Sequence, residues 1–267
     1  MSFTPAQRDI CAIWVMHTHV IEVFGFTPYL WIFSPVKRCG KTRLLFLLQI
    51  AKAPWLTGRT TAAALARMIN AAHPTLLLDE SDTGDSTSLQ NVLNSGFMRG
   101  LKYSVCESSE DGYKPVHYDV FGPKAIAGIG YLPDTVMDRS IPIQLQRAKV
   151  REKYRDSKIK PTIDQLRKRL AVWEKLAIPA LKAMDFDAIE IPPEIEENDR
   201  HVDVAEPLLA IADLAGGRWP KAIRNALIEV WSPTLGGNRP RSESGSFRTS
   251  AKSSQRTLES GQFPQRT

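Results

Sequence analysis

The chain has few cysteines and no long apolar stretch. Its 267 residues include three cysteines, Cys11, Cys39 and Cys106, and no two of them form a C-x-x-C pair. This usage predicts reduced thiols in a cytoplasmic protein and argues against a structural zinc site. No run of eighteen apolar residues is present, so we expect no membrane-spanning segment and no membrane partner. The first residues, MSFTPAQRDIC, lack the charged and then apolar pattern of a secretion signal.

The sequence also lacks a broadly distributed positive charge, although its net charge is +6. Residues 239–267 carry six basic and two acidic side chains, which account for +4 and leave +2 for the first 238 residues. The basic character therefore describes the last segment, and it is weak evidence for a nucleic-acid partner. A serine or cysteine hydrolase of the triad type is disfavoured, because no Cys–His or Ser–His–Asp set occurs at a credible location.

Apolar segments alternate along the chain in a way that predicts an α/β fold with a mainly parallel sheet between helices. Buried strands are expected at 29–33, 75–80, 124–130 and 140–146, and helices at 6–24, 41–52, 60–73 and 89–100. Residues 102–119 contain two strand-like segments around the turn sequence SEDG, which predicts an inserted β-hairpin.

The character of the chain changes after the last predicted strand. We expect residues 1–149 to form the core with its N-terminal helix, 150–235 a helical, lid-like subdomain, and 236–267 a disordered basic tail. Thr162 and Gln165 have the spacing of a capping box, which predicts the start of the first helix in the subdomain.

The stretch SPVKRCGKT follows the first predicted strand and precedes a helix. Its last residues match the end of the G-x-x-x-x-G-K-[ST] phosphate-binding pattern. In such loops, successive backbone N–H groups and a helix N-terminus point at an anion. The predicted nucleotide-binding residues are Pro35, Val36, Lys37, Arg38, Cys39, Gly40, Lys41 and Thr42. Lys41 would contact the outer phosphates of ATP as a catalytic residue, and Thr42 would supply an oxygen to Mg²⁺.

Pro35 occupies the position where this pattern has its first glycine. Proline removes one N–H donor and fixes φ near −65°, which is acceptable where the chain leaves the strand with a negative φ. The alternative is that Gly40, Lys41 and Thr42 only begin a helix.

Two acidic residues end the next predicted strand, TLLLDE. Open α/β sheets bind their ligands at the carboxyl ends of the strands, which is where Asp79 and Glu80 lie. Asp79 is predicted to hold Mg²⁺ through a water, and Glu80 to polarise the water that attacks the γ-phosphate. Together the loop and the acidic pair favour an ATPase over a helix start and an acidic strand end without function.

Several long motifs resemble an uncharacterised family of P-loop ATPase domains from phage, plasmid and actinobacterial genomes. They are WVMHTHVIEVFGFTPYLWIFSPVKRCGKTRLLFLL, PTLLLDESDT, LNSGFMRG, FGPKAIAGIGYLPDTVMDRSIPIQL and PLLAIADLAGGRWP, and the resemblance covers roughly residues 10–230. Members of that family often follow primase-like or toprim-like regions. Pro35 is a trait of the family, whereas Cys39 replaces its usual serine.

The resemblance implies an AAA+-like or helicase-like core with a helical lid. It implies that Arg139 is the arginine finger presented to a neighbouring subunit, and that Arg200 is a lid arginine that contacts the phosphates. Arg139 could instead be an ordinary arginine paired with Asp134 or Asp138. KAIAGIG lacks the polar sensor residue of such enzymes, for which Asp134 or Thr135 could substitute.

These expectations combine into an oligomeric, Mg²⁺-dependent ATPase of phage or plasmid DNA metabolism. Single-stranded or double-stranded DNA is the candidate partner, and Lys102, Tyr103, Tyr113 and Lys114 of the hairpin offer charge and stacking for a strand. Two alternatives remain open: a nucleotide-controlled switch or scaffold without motor activity, and a truncated remnant with low activity.

Overall fold

The computed structural model describes residues 2–58, 60–79, 86–109, 112–129, 131–148 and 155–232. The α-helices in these residues are α1 (Pro5–Val20), α2 (Lys41–Leu48), α3 (Ala62–Ala72), α4 (Ser86–Ser95), α5 (Asp134–Met137), α6 (Asp156–Lys182), α7 (Pro193–Glu196), α8 (Asp199–Ala215) and α9 (Trp219–Trp231). The strands are β1 (Tyr29–Ser34), β2 (Pro54–Thr57), β3 (Thr75–Asp79), β4 (Lys102–Ser109), β5 (Gly112–Asp119), β6 (Lys124–Ile129) and β7 (Ser140–Gln144). The predicted tail at 236–267 lies outside the described residues.

A five-stranded sheet forms the centre of the fold in the order β2-β3-β6-β1-β7. Every neighbouring pair in it is parallel; Leu30 of β1, for example, faces Ala125 on one side and Ile141 on the other. The predicted α/β fold with a mainly parallel sheet is therefore confirmed. The predicted hairpin is also confirmed, since β4 and β5 form a separate antiparallel pair.

Helices α2 and α4 cover opposite faces of this sheet. Along β1 successive side chains point to opposite faces, so Tyr29 and Ser34 face different ways. The Tyr29 hydroxyl donates to the carbonyl of Leu93 in α4 at 2.8 Å, whereas Ser34 accepts from Lys41 at the start of α2. Helix α2 contacts β1, β6 and β3, so it crosses the sheet from the strand that precedes it toward β3.

Local sequence explains where the first helices begin. Thr4 and Gln7 form a reciprocal capping box at the start of α1, with Pro5 in the first turn, where its missing N–H costs nothing. Thr61 caps α3 by accepting a hydrogen bond of 3.2 Å from the N–H of Ala64. These caps satisfy N–H groups that have no partner inside the helix.

The C-terminal helices pack on the same hydrophobic cluster as the sheet. Helix α1 contacts α6, α8 and α9, and α9 contacts β7. Ile10, Ile13 and Trp14 of α1 are fully buried between these layers, and the Trp14 indole donates to the carbonyl of Pro28 at 2.8 Å. The division of the chain at residues 149 and 235 stays a prediction. Within the described ranges, no helix has the length and apolar character needed to cross a membrane.

Candidate functional site

The loop between β1 and α2, residues 35–40, lies at the carboxyl edge of the sheet. Pro35, Val36, Lys37 and Arg38 are exposed, whereas Cys39 is buried with its thiol 3.4 Å from the carbonyl oxygen of Val36. Inward packing of this small side chain leaves the rest of the loop at the surface.

Two residues of this loop have left-handed backbone conformations. Arg38 has φ of 67° and Gly40, the residue before α2, has φ of 96°. A side chain disfavours this region, which explains the glycine at position 40. These two turns bring the chain from β1 into α2 within six residues, 35–40.

Backbone N–H groups accumulate at this turn. Among the described residues, no acceptor is found for the N–H groups of residues 36–43, which comprise most of the loop and the first turn of α2. The first N–H groups of a helix have no partner within it, and no side chain caps α2. Unpaired donors at a helix N-terminus favour the binding of an anion.

Lys41 lies at the first position of α2 and is half-buried. Its ammonium group donates to the hydroxyl oxygen of Ser34 at 2.9 Å, and Ser34 in turn donates to the carbonyl of Val36 at 2.8 Å. Ser34 therefore holds the lysine side chain back along the loop, toward the N–H groups. Ser34 was not among the predicted site residues. Its position at the end of a buried strand, directly before the phosphate-binding pattern, could have indicated a role at the loop.

Thr42 and Asp79 meet beside the loop. The Thr42 hydroxyl donates to Oδ2 of Asp79 at 2.8 Å, and Thr42 itself is exposed. This contact joins the first turn of α2 to the end of β3, which is separated from β1 by β6. The structure thus brings both predicted metal ligands together. Glu80, the predicted water-polarising residue, lies outside the described residues.

The two predicted arginines lie together at the other edge of the sheet. Arg139 directly precedes β7, and its carbonyl accepts from the N–H of Tyr29, the first residue of β1. The guanidinium carbons of Arg139 and Arg200 lie 5.6 and 5.3 Å from the ring centroid of Phe97. Loop 35–40 follows the last residue of β1, so both arginines are at the amino edge and the loop at the carboxyl edge. Arg200 therefore lies at the edge of the sheet opposite loop 35–40 of its own chain, and its contact with phosphates stays a prediction.

The surroundings of Arg139 are partly desolvated. Burial lowers the pKa of Arg139, and the nearby charge of Arg200 lowers it further. Its Nε is buried and has no hydrogen-bond partner among the described residues, while Nη1 donates to the carbonyl of Thr135. No ion pair with Asp134 or Asp138 is found in the described part of the chain. Arg200 pairs with Asp203 at 2.7 Å.

The residues proposed as substitutes for a sensor contact α4. The Thr135 hydroxyl accepts hydrogen bonds from the side chains of Gln90 at 2.8 Å and Asn94 at 3.1 Å. These bonds fasten α5 to α4 on the face of the sheet opposite α2. Thr135 is therefore explained by helix packing, and no contact with loop 35–40 is found for it in the described residues.

The hairpin candidates for DNA contact differ in their surroundings. Lys102 pairs with Asp119 at 2.8 Å, and Tyr103 packs against the core cluster. Tyr113, near the tip, is 80% exposed, and Lys114 faces Glu107 across the ladder. Of the two tyrosines, only Tyr113 presents an open ring for stacking.

No group of three or more His, Cys, Asp or Glu side chains with the geometry of a metal site occurs among the described residues. Cys11, Cys39 and Cys106 are free cysteines.

Comparison with known proteins gives partial matches. Residues 144–243, from the end of β7 onward, match a family described as "Protein of unknown function (DUF3631)". An "Uncharacterized 28.9 kDa protein in xis 5'region" of Saccharopolyspora erythraea is 32% identical over 96 residues, which are 36% of this chain and 32% of that protein. The chain thus spans about a third of that relative, and the loop 35–42 lies outside the family match.

Solved structures with similarity to this chain include helicases. A structure of JCV helicase is 15% identical in sequence to this chain and has a TM-score of 0.34. The match covers 84% of this chain and 61% of the helicase chain. The apo structure of the NrS-1 C-terminal region is 13% identical in sequence and has a TM-score of 0.37. The match covers 85% of this chain and 70% of the NrS-1 chain. This chain therefore spans less than two thirds of the JCV helicase chain.

Proposed function

We propose that the chain binds ATP with Mg²⁺ at loop 35–40 and hydrolyses it. The observation that carries this proposal is the hydrogen bond between Thr42 and Asp79 directly beside that loop. The hydroxyl comes from the first turn of α2 and the carboxylate from the end of β3, and the two meet beside a helix N-terminus. A hydrated Mg²⁺ between them and a triphosphate would account for this convergence.

The donor set of the loop fits a triphosphate. The N–H groups of residues 36–43 are free to donate to phosphate oxygens, and Lys41 adds a positive charge that Ser34 orients. Oxygens are the ligands that Mg²⁺ prefers, so the hydroxyl of Thr42 would bind the ion and the carboxylate of Asp79 would hold it through a water. The two oxygens lie 2.8 Å apart, near enough to serve one ion. Pro35 costs little here, because the N–H groups begin at residue 36.

The hydrolysis step assigns roles to side chains on both sides of the phosphates. Thr42 and Asp79 would hold the Mg²⁺, which neutralises charge on the β- and γ-phosphates when bound. Lys41 would stabilise the charge that develops on the transferred group. Glu80, the residue after Asp79, would accept a proton from the attacking water. Removal of that carboxylate should stop turnover and leave ATP bound.

Arg139 would act on the nucleotide of a neighbouring subunit. It lies at the opposite edge of the sheet from its own Lys41, so its contact with a phosphate requires a second copy of the chain. Its guanidinium is partly desolvated, and its Nε has no hydrogen-bond partner among the described residues, so the group is suited to bind an anion. Arg200 lies beside it over Phe97 and would serve the same neighbour. A homo-oligomer is therefore part of the proposal.

DNA is the proposed partner on which the energy of ATP hydrolysis would be used. Tyr113 is open to stacking at the end of a two-stranded projection, and aromatic rings bind single strands without sequence preference. The rival functions are a nucleotide-controlled switch or scaffold, and a low-activity remnant. They share the nucleotide site but predict no response to DNA.

ATP turnover of the purified full chain with and without single-stranded DNA tests this function. A DNA-dependent ATPase should be stimulated strongly, and the stimulation should fall as salt rises. Glu80→Gln should abolish turnover and retain ATP binding. A turnover rate that DNA does not change would favour the nucleotide-controlled switch. Slow turnover under all conditions would favour the low-activity remnant. No turnover in the wild type, or unchanged turnover in Glu80→Gln, would contradict hydrolysis as proposed.

A further inference from the structure

The outer face of α6 combines exposed apolar side chains with unpaired positive charge. Val172 is 63% exposed and Leu176 is 72% exposed, and their spacing of four residues places them on one helix face. Lys168, Arg169 and Lys175 are exposed around them. None of these three cations has an ion-pair partner among the described residues. We call these five residues the α6 patch.

The chain that follows α6 carries the opposite charge. Residues 185–199, DFDAIEIPPEIEEND, contain seven carboxylates and no basic residue. All seven are exposed, and no ion pair is found for them in the described part of the chain: Asp185, Asp187, Glu190, Glu194, Glu196, Glu197 and Asp199. We call residues 185–199 the acidic segment.

The acidic segment is held in a fixed orientation. Ile195 of α7 is 1% exposed, and α7 contacts α8 and α9. With Ile195 turned inward, Glu194, Glu196 and Glu197 are left on the solvent side. Arg224 donates to the carbonyl of Glu190 at 2.9 Å, which fastens the segment to α9. The carboxylates therefore form an ordered surface.

We propose that the α6 patch of one copy binds the acidic segment of a second copy. The two surfaces are complementary in charge, neither has an ion-pair partner among the described residues, and every copy carries one of each. Because the contact joins two different surfaces, it is head-to-tail and repeats from copy to copy, which produces a ring or an open chain. It depends on no nucleotide, and it supplies the neighbour that Arg139 needs under the proposed function.

The apolar centre of the α6 patch favours a protein partner over nucleic acid. Phosphate backbones are bound by charge, and Val172 and Leu176 would remain uncovered. The acidic segment offers an exposed Pro193 and half-buried Ile189 and Ile191 between its carboxylates. Apolar contacts at the centre with charged pairs at the rim are the usual composition of a protein interface.

The mass of the full chain in solution gives the first test. Wild-type protein should have a multiple of the 29.9 kDa chain mass, and Val172→Glu with Leu176→Glu should reduce it to a single chain. Met68→Glu, on α3 and 45% exposed in the wild type, is the matched control and should keep the wild-type mass. Circular dichroism of each variant excludes unfolding. A wild type of single-chain mass at every concentration would overturn the proposal.

Charge reversal gives a second test that a folding defect cannot imitate. One variant carries Lys168→Glu, Arg169→Glu and Lys175→Glu, and the other carries Glu194→Lys, Glu196→Lys and Glu197→Lys. Each alone should be a single chain, because the reversed side chains now face unreversed side chains of like charge. Their equimolar mixture should recover the wild-type mass, since the introduced glutamates of one variant face the introduced lysines of the other. A mixture that stays at single-chain mass would overturn the proposal.

The proposed contact between copies and the proposed nucleotide site can be contradicted independently of each other. The two charge-reversed variants should bind ATP as tightly as the wild type when alone, and should lose turnover that depends on Arg139 until they are mixed. If Lys41→Ala leaves ATP binding unchanged but the mass results hold, the ATP site is wrong and the contact stands. If the wild type is a single chain and the α6 patch variant loses DNA binding, the patch is a nucleic-acid surface and the contact is wrong.

Discussion

The hydroxyl of Thr42 donates a 2.8 Å hydrogen bond to the carboxylate of Asp79, 37 positions further along the chain. The two side chains come from different elements of the fold. Thr42 is brought there by the turn through Gly40 into α2, and Asp79 by the pairing of β3 with β6. The metal site proposed above depends on this one convergence.

Removal of either partner should weaken the binding of Mg²⁺ with ATP. We expect Thr42→Ala and Asp79→Asn to lower Mg²⁺ affinity in the ATP complex by about 10- to 100-fold. The first variant loses an oxygen ligand, and the second loses the negative charge that holds the ion through a water. Thr42→Ser keeps the hydroxyl and is the matched control. Titration of Mg²⁺ into protein with a fluorescent ATP analogue measures the effect. Equal Mg²⁺ affinity in Thr42→Ala and Thr42→Ser would refute the role of the hydroxyl.

Arg139 should act between subunits. Arg139→Ala should retain ATP binding and lose turnover by about 1,000-fold, which is the lower range for an arginine finger. Lys41→Ala should also lack turnover, because its own site loses the contact with the outer phosphates. In an equimolar mixture, about a quarter of sites should combine an intact Lys41 with an intact neighbouring Arg139, if subunits mix at random head-to-tail. Recovery of no activity in the mixture would contradict the action of Arg139 between subunits, and normal turnover of Arg139→Ala alone would place it outside the reaction.

Gly96 should not tolerate a side chain. A Cβ there would lie 2.3 Å from the carbonyl oxygen of Val120 and 2.4 Å from Nζ of Lys124. We expect Gly96→Ala to reduce the free energy of unfolding by about 1–3 kcal/mol, as overpacking does in other cores. Gly25→Ala is the control, since nothing lies within 4 Å of its Cβ. Urea denaturation of both variants measures the difference, and similar values would contradict the close packing.

Lys124 should make stability rise with pH. Its ammonium nitrogen is buried among the carbonyls of Gly96, Val120 and Gly122, at 2.8–3.3 Å. Burial lowers the pKa of Lys124 from an ordinary value of 10.5 to about 7. Between these values the unfolded chain binds a proton that the folded chain does not, so the free energy of unfolding increases with pH, by at most about 1.4 kcal/mol per pH unit.

The comparison of wild type with Lys124→Met isolates this contribution. The methionine variant should be less stable overall because it leaves buried carbonyls without their donor. Its deficit relative to the wild type should widen as pH rises from about 7 toward about 10, since only the wild type gains. Denaturant unfolding across this range measures it. A deficit that is constant with pH would mean that Lys124 stays charged in the folded protein.

Much of the sheet was predictable, because its strands have strong local signals. TLLLD and YLWIF are continuous apolar runs next to turn residues, and both form buried parallel strands. The hairpin followed from two strand-like runs around a polar turn. Thr61 caps α3 close to the predicted helix start at residue 60. Elements of this kind carry their periodicity and their boundaries within a few residues.

Other boundaries depended on the tertiary structure. β2, Pro54–Thr57, was not predicted, because four half-buried residues with a leading proline carry no periodic signal; pairing with β3 makes it a strand. Helix α6 begins at Asp156, before the capping box predicted at Thr162, and includes Pro161 in its second turn. The helix passes through Pro161 although the missing N–H there removes one helical hydrogen bond, so the prediction of a helix beginning at Thr162 was wrong.

The candidate site was predictable in part. The order of strand, loop and helix placed residues 35–42 at one edge, and the acid at the end of β3 followed from the strand itself. The sequence does not reveal which edge of the sheet Arg139 and Arg200 occupy, since that depends on how the loop before β7 and the α8 helix return to the amino edge. It also gave no sign that Lys124, at the start of an apolar strand, is fully buried.

The binding of ATP to the full chain, measured by isothermal titration calorimetry in the presence of Mg²⁺, tests the central claim most directly. Wild type should bind one ATP per chain, and Lys41→Ala should bind about 100-fold more weakly or not at all, because a charge-assisted contact at the outer phosphates is lost. Lys37→Ala, in the same loop but exposed, should retain most of the affinity. Absence of binding by the wild type, or equal affinity for wild type and Lys41→Ala, would contradict the nucleotide site.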